Sequence, residues 1–140
     1  MGFAMRHSQG LPLFLAGFLS VLLFQATPVQ AGSADLTLTE KDSGRTVTLQ
    51  VGEKLLLNLR NPGDGGYNVL PPVFDAAILT FLSRRDLPPS RPRPGDFGRL
   101  AFTWQARQPG ETDLTVNIAR PWEKAKAPAQ YVKIRVRVSP

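Results

Sequence analysis

The chain has no cysteine and a single histidine, His7, in 140 residues. The missing thiols exclude a disulfide framework, thiolate chemistry and a lipoprotein-type Leu-x-Gly-Cys anchor. His7 lies in the N-terminal 31 residues, so the remainder holds neither of the side chains on which Ser-His-Asp and Cys-His catalysis and most zinc sites depend. Carboxylates, lysines, hydroxyls and tyrosines are left as possible catalysts, and no two carboxylates form an identifiable paired motif. An enzyme is therefore the least favoured class and a binding protein the leading one. No metal and no cofactor is expected.

A membrane-spanning run is lacking too. The longest apolar stretch is the 14 residues Leu11–Phe24, short of the ~20 that cross a bilayer. It follows Arg6 and His7 and precedes the small-x-small triplet Val29-Gln30-Ala31, which together make residues 1–31 a secretory signal peptide. Residues 32–140 are then one exported domain, periplasmic or secreted, with no membrane association after cleavage. Arg6 supplies one unit of the net +6, which leaves +5 for that domain. This is basic, but falls short of a nucleic-acid footprint. A chain of about 109 residues buries roughly 65% of its unfolded surface, enough for one two-layer core.

Helical periodicity is the next absence. Leu36 and Leu38, Val47 to Val51, Leu55 to Leu59, Leu100 to Trp104 and Leu114 to Ile118 all alternate with polar or small residues. Tyr131–Val138 (YVKIRVRV) points Val132, Ile134, Val136 and Val138 to one face and Lys133, Arg135 and Arg137 to the other. Period 2 is the signature of strands with one buried face. Lys41–Gly44 and Val51–Lys54 offer hairpin turns, and Asn61–Gly66 a longer loop. Tyr67–Val69 restarts an extended segment that Pro71 and Pro72 confine to an edge. Phe74–Leu82 suits either a helical turn or a strand, and strand is preferred. Residues 83–98, with four prolines, two glycines and four arginines, are expected to be a long exposed loop. Seven or so short antiparallel strands without a confident helix predict an all-β, immunoglobulin-like β-sandwich, with an open barrel as the alternative.

Recognition by such a scaffold belongs to its loops, and three have unusual compositions. Asn61-Pro62-Gly63-Asp64-Gly65-Gly66 has a slim, glycine-rich tip that either slides into a narrow cleft or is an ordinary turn. Arg120-Pro121-Trp122 ends a strand with two residue types enriched at binding hot spots; the alternative is a tryptophan folded onto the sandwich edge and capped by its arginine. Gly95-Asp96-Phe97-Gly98 carries a phenylalanine on a glycine-bracketed hinge, either for docking or for closing the core edge. Trp104, by its alternation, is core. Arg84, Arg85, Arg91 and Arg93 read as a solvated face, with an acidic partner as the second possibility.

The order of these loops resembles the chagasin family of cysteine-peptidase inhibitors over nearly all of Asp35–Val138. The resemblance implies an immunoglobulin-like sandwich whose BC, DE and FG loops wedge into the cleft of papain-like cysteine peptidases. By that likeness Asn61–Tyr67 is the BC loop, Gly95–Gly98 lies in DE and Arg120–Trp122 opens FG. Arg120-Pro121-Trp122 reproduces the family signature. Asn61-Pro62 keeps the start of Asn-Pro-Thr-Thr-Gly, and Tyr67 stands at the aromatic position that follows. Gly63 and Asp64 replace the threonines, Gly65-Gly66 adds a residue, and Val69 stands where a tryptophan is frequent. The implied partner is a papain-like cysteine peptidase bound by a monomeric inhibitor; the competing class is a sandwich module that recognises another exported protein.

Overall fold

Alternating side chains leave a strand one apolar face, and such faces are stable only against one another. The computed structural model describes Gly2 and residues 35–140; the apolar segment and cleavage site of the expected signal peptide lie outside the described residues. Eight strands occur among the described residues: β1 (Leu36–Thr39), β2 (Thr46–Gln50), β3 (Lys54–Arg60), β4 (Asn68–Val69), β5 (Leu79–Leu87), β6 (Arg99–Ala106), β7 (Gly110–Ala119) and β8 (Ala129–Ser139). They form two four-stranded sheets, ordered β1-β3-β6-β5 and β2-β8-β7-β4. The pairs β1–β3 and β2–β8 are parallel and the others antiparallel. This is the sandwich that the alternation predicts. No described helix is long and apolar enough to cross a membrane.

Leu55, Leu57, Leu59, Leu100, Phe102 and Trp104 from one sheet meet Leu114, Val116, Val132, Ile134, Val136 and Val138 from the other, all almost wholly buried. Trp104 is core, as expected. Its ring stacks on Phe102 at 5.9 Å, meets Phe74 edge-on at 6.0 Å and Phe81 at a tilt at 5.6 Å. On the outer face of β7–β8, Arg135 bonds Glu111 at 2.8 Å and Asp113 at 3.1 Å, and Arg137 bonds Glu111 at 2.9 Å. That face is solvated and neutralises itself.

Three expectations change. Lys41–Gly44 and Val51–Lys54 do not close hairpins, since each carries the chain from one sheet to the other. Alternation fixes which side chains face inward, but not which strand lies alongside. The segment Phe74–Leu82 is both of its readings in turn. Asp75 Oδ1 accepts from Ala77 N, the Asp75 carbonyl accepts from Ile78 and Leu79, and the strand begins only at Leu79.

Residues 83–87 are not loop but the second half of β5, and the connection to β6 is confined to residues 88–98. An edge strand owes its existence to ladder bonds with one neighbour and needs no apolar face where the opposite sheet stops short. After a bulge at Phe81–Ser83, Arg84 pairs with Phe102 and Asp86 with Leu100, on the inner face. The Arg84 guanidinium lies 5.6 Å over the Phe102 ring and Nη1 reaches the Val69 carbonyl at 3.4 Å. Inward charges of this kind guard an edge against pairing with another chain.

Leu57 has no exposed surface and sits in the middle of β3. Leu57→Ala is expected to destabilise the fold by about 2–5 kcal/mol, measurable as a lowered urea midpoint with an unchanged slope.

Candidate functional site

Pairing of Arg60 with Arg99, and of Asn68 with Ala119, brings three connections to the same end of the sandwich. These are β3–β4, β5–β6 and β7–β8, and they contain the three loops singled out in the sequence.

The first is a built turn, not a slack one. Pro62–Gly65 form one turn of 3-10 helix, with Asn61 as its cap: Asn61 Oδ1 accepts from Gly63 N at 2.9 Å, and proline occupies the first helical position, where its missing N–H costs nothing. Gly66, at φ +79°, closes the turn by donating to the Gly63 carbonyl at 2.9 Å. The second loop turns at Gly95, with Asp96 N donating to the Arg93 carbonyl and Gly98 N to Asp96 Oδ1 at 2.9 Å. It is tied to the first by Asn61 N donating to the Gly98 carbonyl at 3.0 Å.

The third loop closes on the first from the opposite side. Arg120 Nε donates to the Gly65 carbonyl at 2.9 Å, its guanidinium lies 4.3 Å from the Tyr67 ring centre, and Nη1 bonds Glu123 at 3.3 Å. Arg120 thus caps Tyr67 and not Trp122, so the sandwich-edge alternative for the tryptophan fails in that respect. Trp122 lies against Gly66, where any Cβ would strike its ring, yet 66% of it remains exposed. Phe97 rests likewise on Gly63, with a Cβ there only 3.0 Å from its Cδ1, and is 54% exposed. It does not fill the core edge.

All fourteen residues proposed from the sequence therefore belong to one contiguous feature: a slim backbone crest, Gly63–Gly66, between two exposed aromatic rings. Pro62 is its buried root, and Pro121 carries the chain from the Arg120 clamp to Trp122. The recess under Arg120, lined by Tyr67, Ile118, Ala119 and Glu123, holds about 110 Å³, below the ~300 Å³ at which small-molecule pockets begin. Among the described residues no cluster of acidic or histidine side chains could hold a metal. The feature is convex and suited to entering a groove in another protein.

Sequence reasoning missed the braces. Arg60 Nη2 bonds Asp64 Oδ2 at 2.6 Å, and this bond holds the Asp64 carboxyl below its ordinary value, so the side chain is anionic at neutral and mildly acid pH. Arg60 N donates to Glu40, which also takes Arg99 at 3.1 Å, and the Tyr131 hydroxyl donates to the Arg60 carbonyl. The i,i+4 spacing of Arg60 and Asp64 and the i,i+3 spacing of Arg120 and Glu123 were the available signals.

Fold and site together define a class: an immunoglobulin-like sandwich with three loops joined into one crest at one end. The family model of the chagasin family peptidase inhibitors, I42, matches residues 48–136. The chain belongs to that family. Among solved structures, the crystal structure of the cysteine protease inhibitor EhICP2 from Entamoeba histolytica is similar at 19% identity and a TM-score of 0.61, over 75% of this chain and 95% of that one. The solution structure of Amebosin is similar at 21% identity and a TM-score of 0.58, over 75% and 98%. These likenesses concern the fold. No curated protein matches the chain.

Gly66→Ala is expected to cost about 1–2 kcal/mol from the left-handed backbone alone, and to push Trp122 off the crest. The indole N–H resonance of Trp122 should shift while that of Trp104 stays in place.

Proposed function

We propose that the protein is an exported, monomeric, reversible inhibitor of papain-like cysteine peptidases that acts by occlusion. The observation that carries this reading is the crest itself. Gly63, Gly65 and Gly66 present backbone without bulk, so the crest fits a narrow cleft, while Phe97 and Trp122 supply large apolar surfaces on either flank. Rigid exposed aromatics beside a desolvated centre are what binding hot spots consist of. Membership of the peptidase-inhibitor family points the same way.

Occlusion asks the loop to be ordered before the encounter, since ordering it on binding would subtract from affinity. The extra glycine raises that cost. The Asn61 cap, the Arg60–Asp64 bond and the Arg120 clamp offset it in the free protein. The same Arg60–Asp64 bond bears on the charge at the tip. A bare carboxylate would repel the thiolate of a cysteine–histidine pair; one matched by a guanidinium at 2.6 Å presents nearly no net charge to it.

The N-terminal segment supports export to a periplasm or beyond it: basic residues, a 14-residue apolar run and Val29-Gln30-Ala31 precede the domain. Mass spectrometry of the exported chain should find Gly32 as its first residue; retention of residues 1–31 would refute the cleavage.

Titration of the purified protein into papain or a cathepsin-like peptidase is expected to abolish activity near stoichiometry. No effect at micromolar excess would sink the occlusion reading. Trp122→Ala is expected to weaken inhibition by about 2 kcal/mol or more, whereas an unchanged inhibition constant would confine Trp122 to a structural role.

A further inference from the structure

The positive charge of the domain is not spread over it. Residues 35–140 contain sixteen lysines and arginines and eleven carboxylates. The segments that build the wedge end, 60–67, 84–99 and 120–126, hold nine of the cations and four of the carboxylates. The remainder holds seven of each. Glu40, which accepts from Arg60 N and pairs with Arg99, belongs with that end in space, so four of the five excess positive charges lie on and beside the three loops.

The two groups also differ in how the charges are arranged. On the outer face of β7–β8, Lys133, Arg135 and Arg137 interleave with Glu111 and Asp113 within 4 Å, so that each cation has a carboxylate partner and one net positive charge is left. At the wedge end, Arg60, Arg99 and Arg120 are consumed in bracing the loops. Arg85, Arg91, Arg93 and Lys124 are exposed and have no carboxylate within bonding reach among the described residues. Arg91 and Arg93 are set between prolines in Pro89-Ser90-Arg91-Pro92-Arg93-Pro94, which keeps this part of the connection extended and its charges apart. Lys124 stands two residues beyond Trp122. Arg91 and Arg93 thus lie in the same connection as Phe97, Lys124 in that of Trp122, and Arg85 on β5 two residues before Leu87, where that strand reaches the wedge end.

We infer that these cations form an electrostatic collar that selects papain-like peptidases with an acidic cleft rim and steers the crest into them. This rests on the occlusion reading above and adds the chemistry of the preferred partner. Rim charges act mainly on the encounter, since they lie outside the desolvated centre and remain in water. Steering of this type raises association rates by about 10- to 1,000-fold and fades as salt shortens the Debye length from ~30 Å at 0.01 M to ~10 Å at 0.1 M. The crest is nearly neutral at its tip, so it can fill clefts of either rim charge once there; the collar decides how often it arrives.

The test is stopped-flow association of the purified protein with two papain-like peptidases, one with an acidic rim and one with a basic rim, across a salt series. With the acidic enzyme the association rate is expected to fall tenfold or more between about 10 mM and 500 mM salt, with the dissociation rate nearly constant. The fourfold variant R85Q/R91Q/R93Q/K124Q should start at the slow, high-salt rate and lose the salt dependence. With the basic enzyme the rate should be lower and rise with salt. Inhibition that persists with association insensitive to salt, to rim charge and to the fourfold variant would overturn the collar and leave occlusion standing. Failure to inhibit either enzyme at any salt would overturn both.

Discussion

The guanidinium of Arg120 is the joint on which the binding end depends. It follows directly on β7, donates to the Gly65 carbonyl, covers the Tyr67 ring and is itself held by Glu123. Without it the β3–β4 and β7–β8 connections would be two separate loops, each with its own freedom. Lysine could not replace it, because one planar fork must satisfy a carbonyl, a carboxylate and an aromatic face at once. The proline that follows then sets the direction in which Trp122 leaves, so an arginine, a proline and a tryptophan act as clamp, bend and contact surface.

The glycines take their meaning from that clamp. Gly66 adopts a left-handed backbone and also leaves room for the Trp122 ring, and Gly63 makes room for Phe97. Side chains at these positions would lift the rings and widen the crest. The departures from Asn-Pro-Thr-Thr-Gly are consistent with one another in this light. A β-branched residue at position 63 would crowd the Phe97 ring and the Asn61 cap, which a Cβ there would meet at 3.0–3.1 Å. A carboxylate at position 64 is acceptable where an arginine four residues earlier meets it.

Most of the sandwich could be read from alternation alone, because Leu100, Phe102 and Trp104, or Val132 through Val138, have a sheet on the other side that demands it. The failures occur where that demand is missing. Ser83–Leu87 is strand by virtue of its ladder to β6 and has no facing layer, so its sequence carries no apolar period. The turns at 41–44 and 51–54 have hairpin residues but connect different sheets, since turn chemistry specifies a reversal and not a neighbour. At the site, Arg-Pro-Trp is legible because the motif is local. Arg60 and Glu123 are signalled only by their spacing from Asp64 and Arg120, and Glu40 not at all, because it meets Arg60 and Arg99 across 20 and 59 positions of chain.

Charge separates the two ends of the molecule in a way that composition conceals. A net of +5 on a small domain suggests a diffusely basic surface. The β7–β8 face, although rich in arginine and lysine, contributes only one charge to that net, because cross-strand register places Glu111 and Asp113 opposite Arg137 and Arg135. At the other end Arg91, Arg93 and Lys124 lie in irregular backbone, where no register supplies them with partners, and Arg85, on the edge strand β5, stands opposite Ala101. A strand can neutralise its own charges through its neighbour, whereas a loop leaves them for whatever it meets. The fold therefore concentrates most of its uncompensated charge beside the crest and its two exposed rings, and on the function proposed above affinity and rate come to depend on different residues: the crest and rings for the first, the collar for the second.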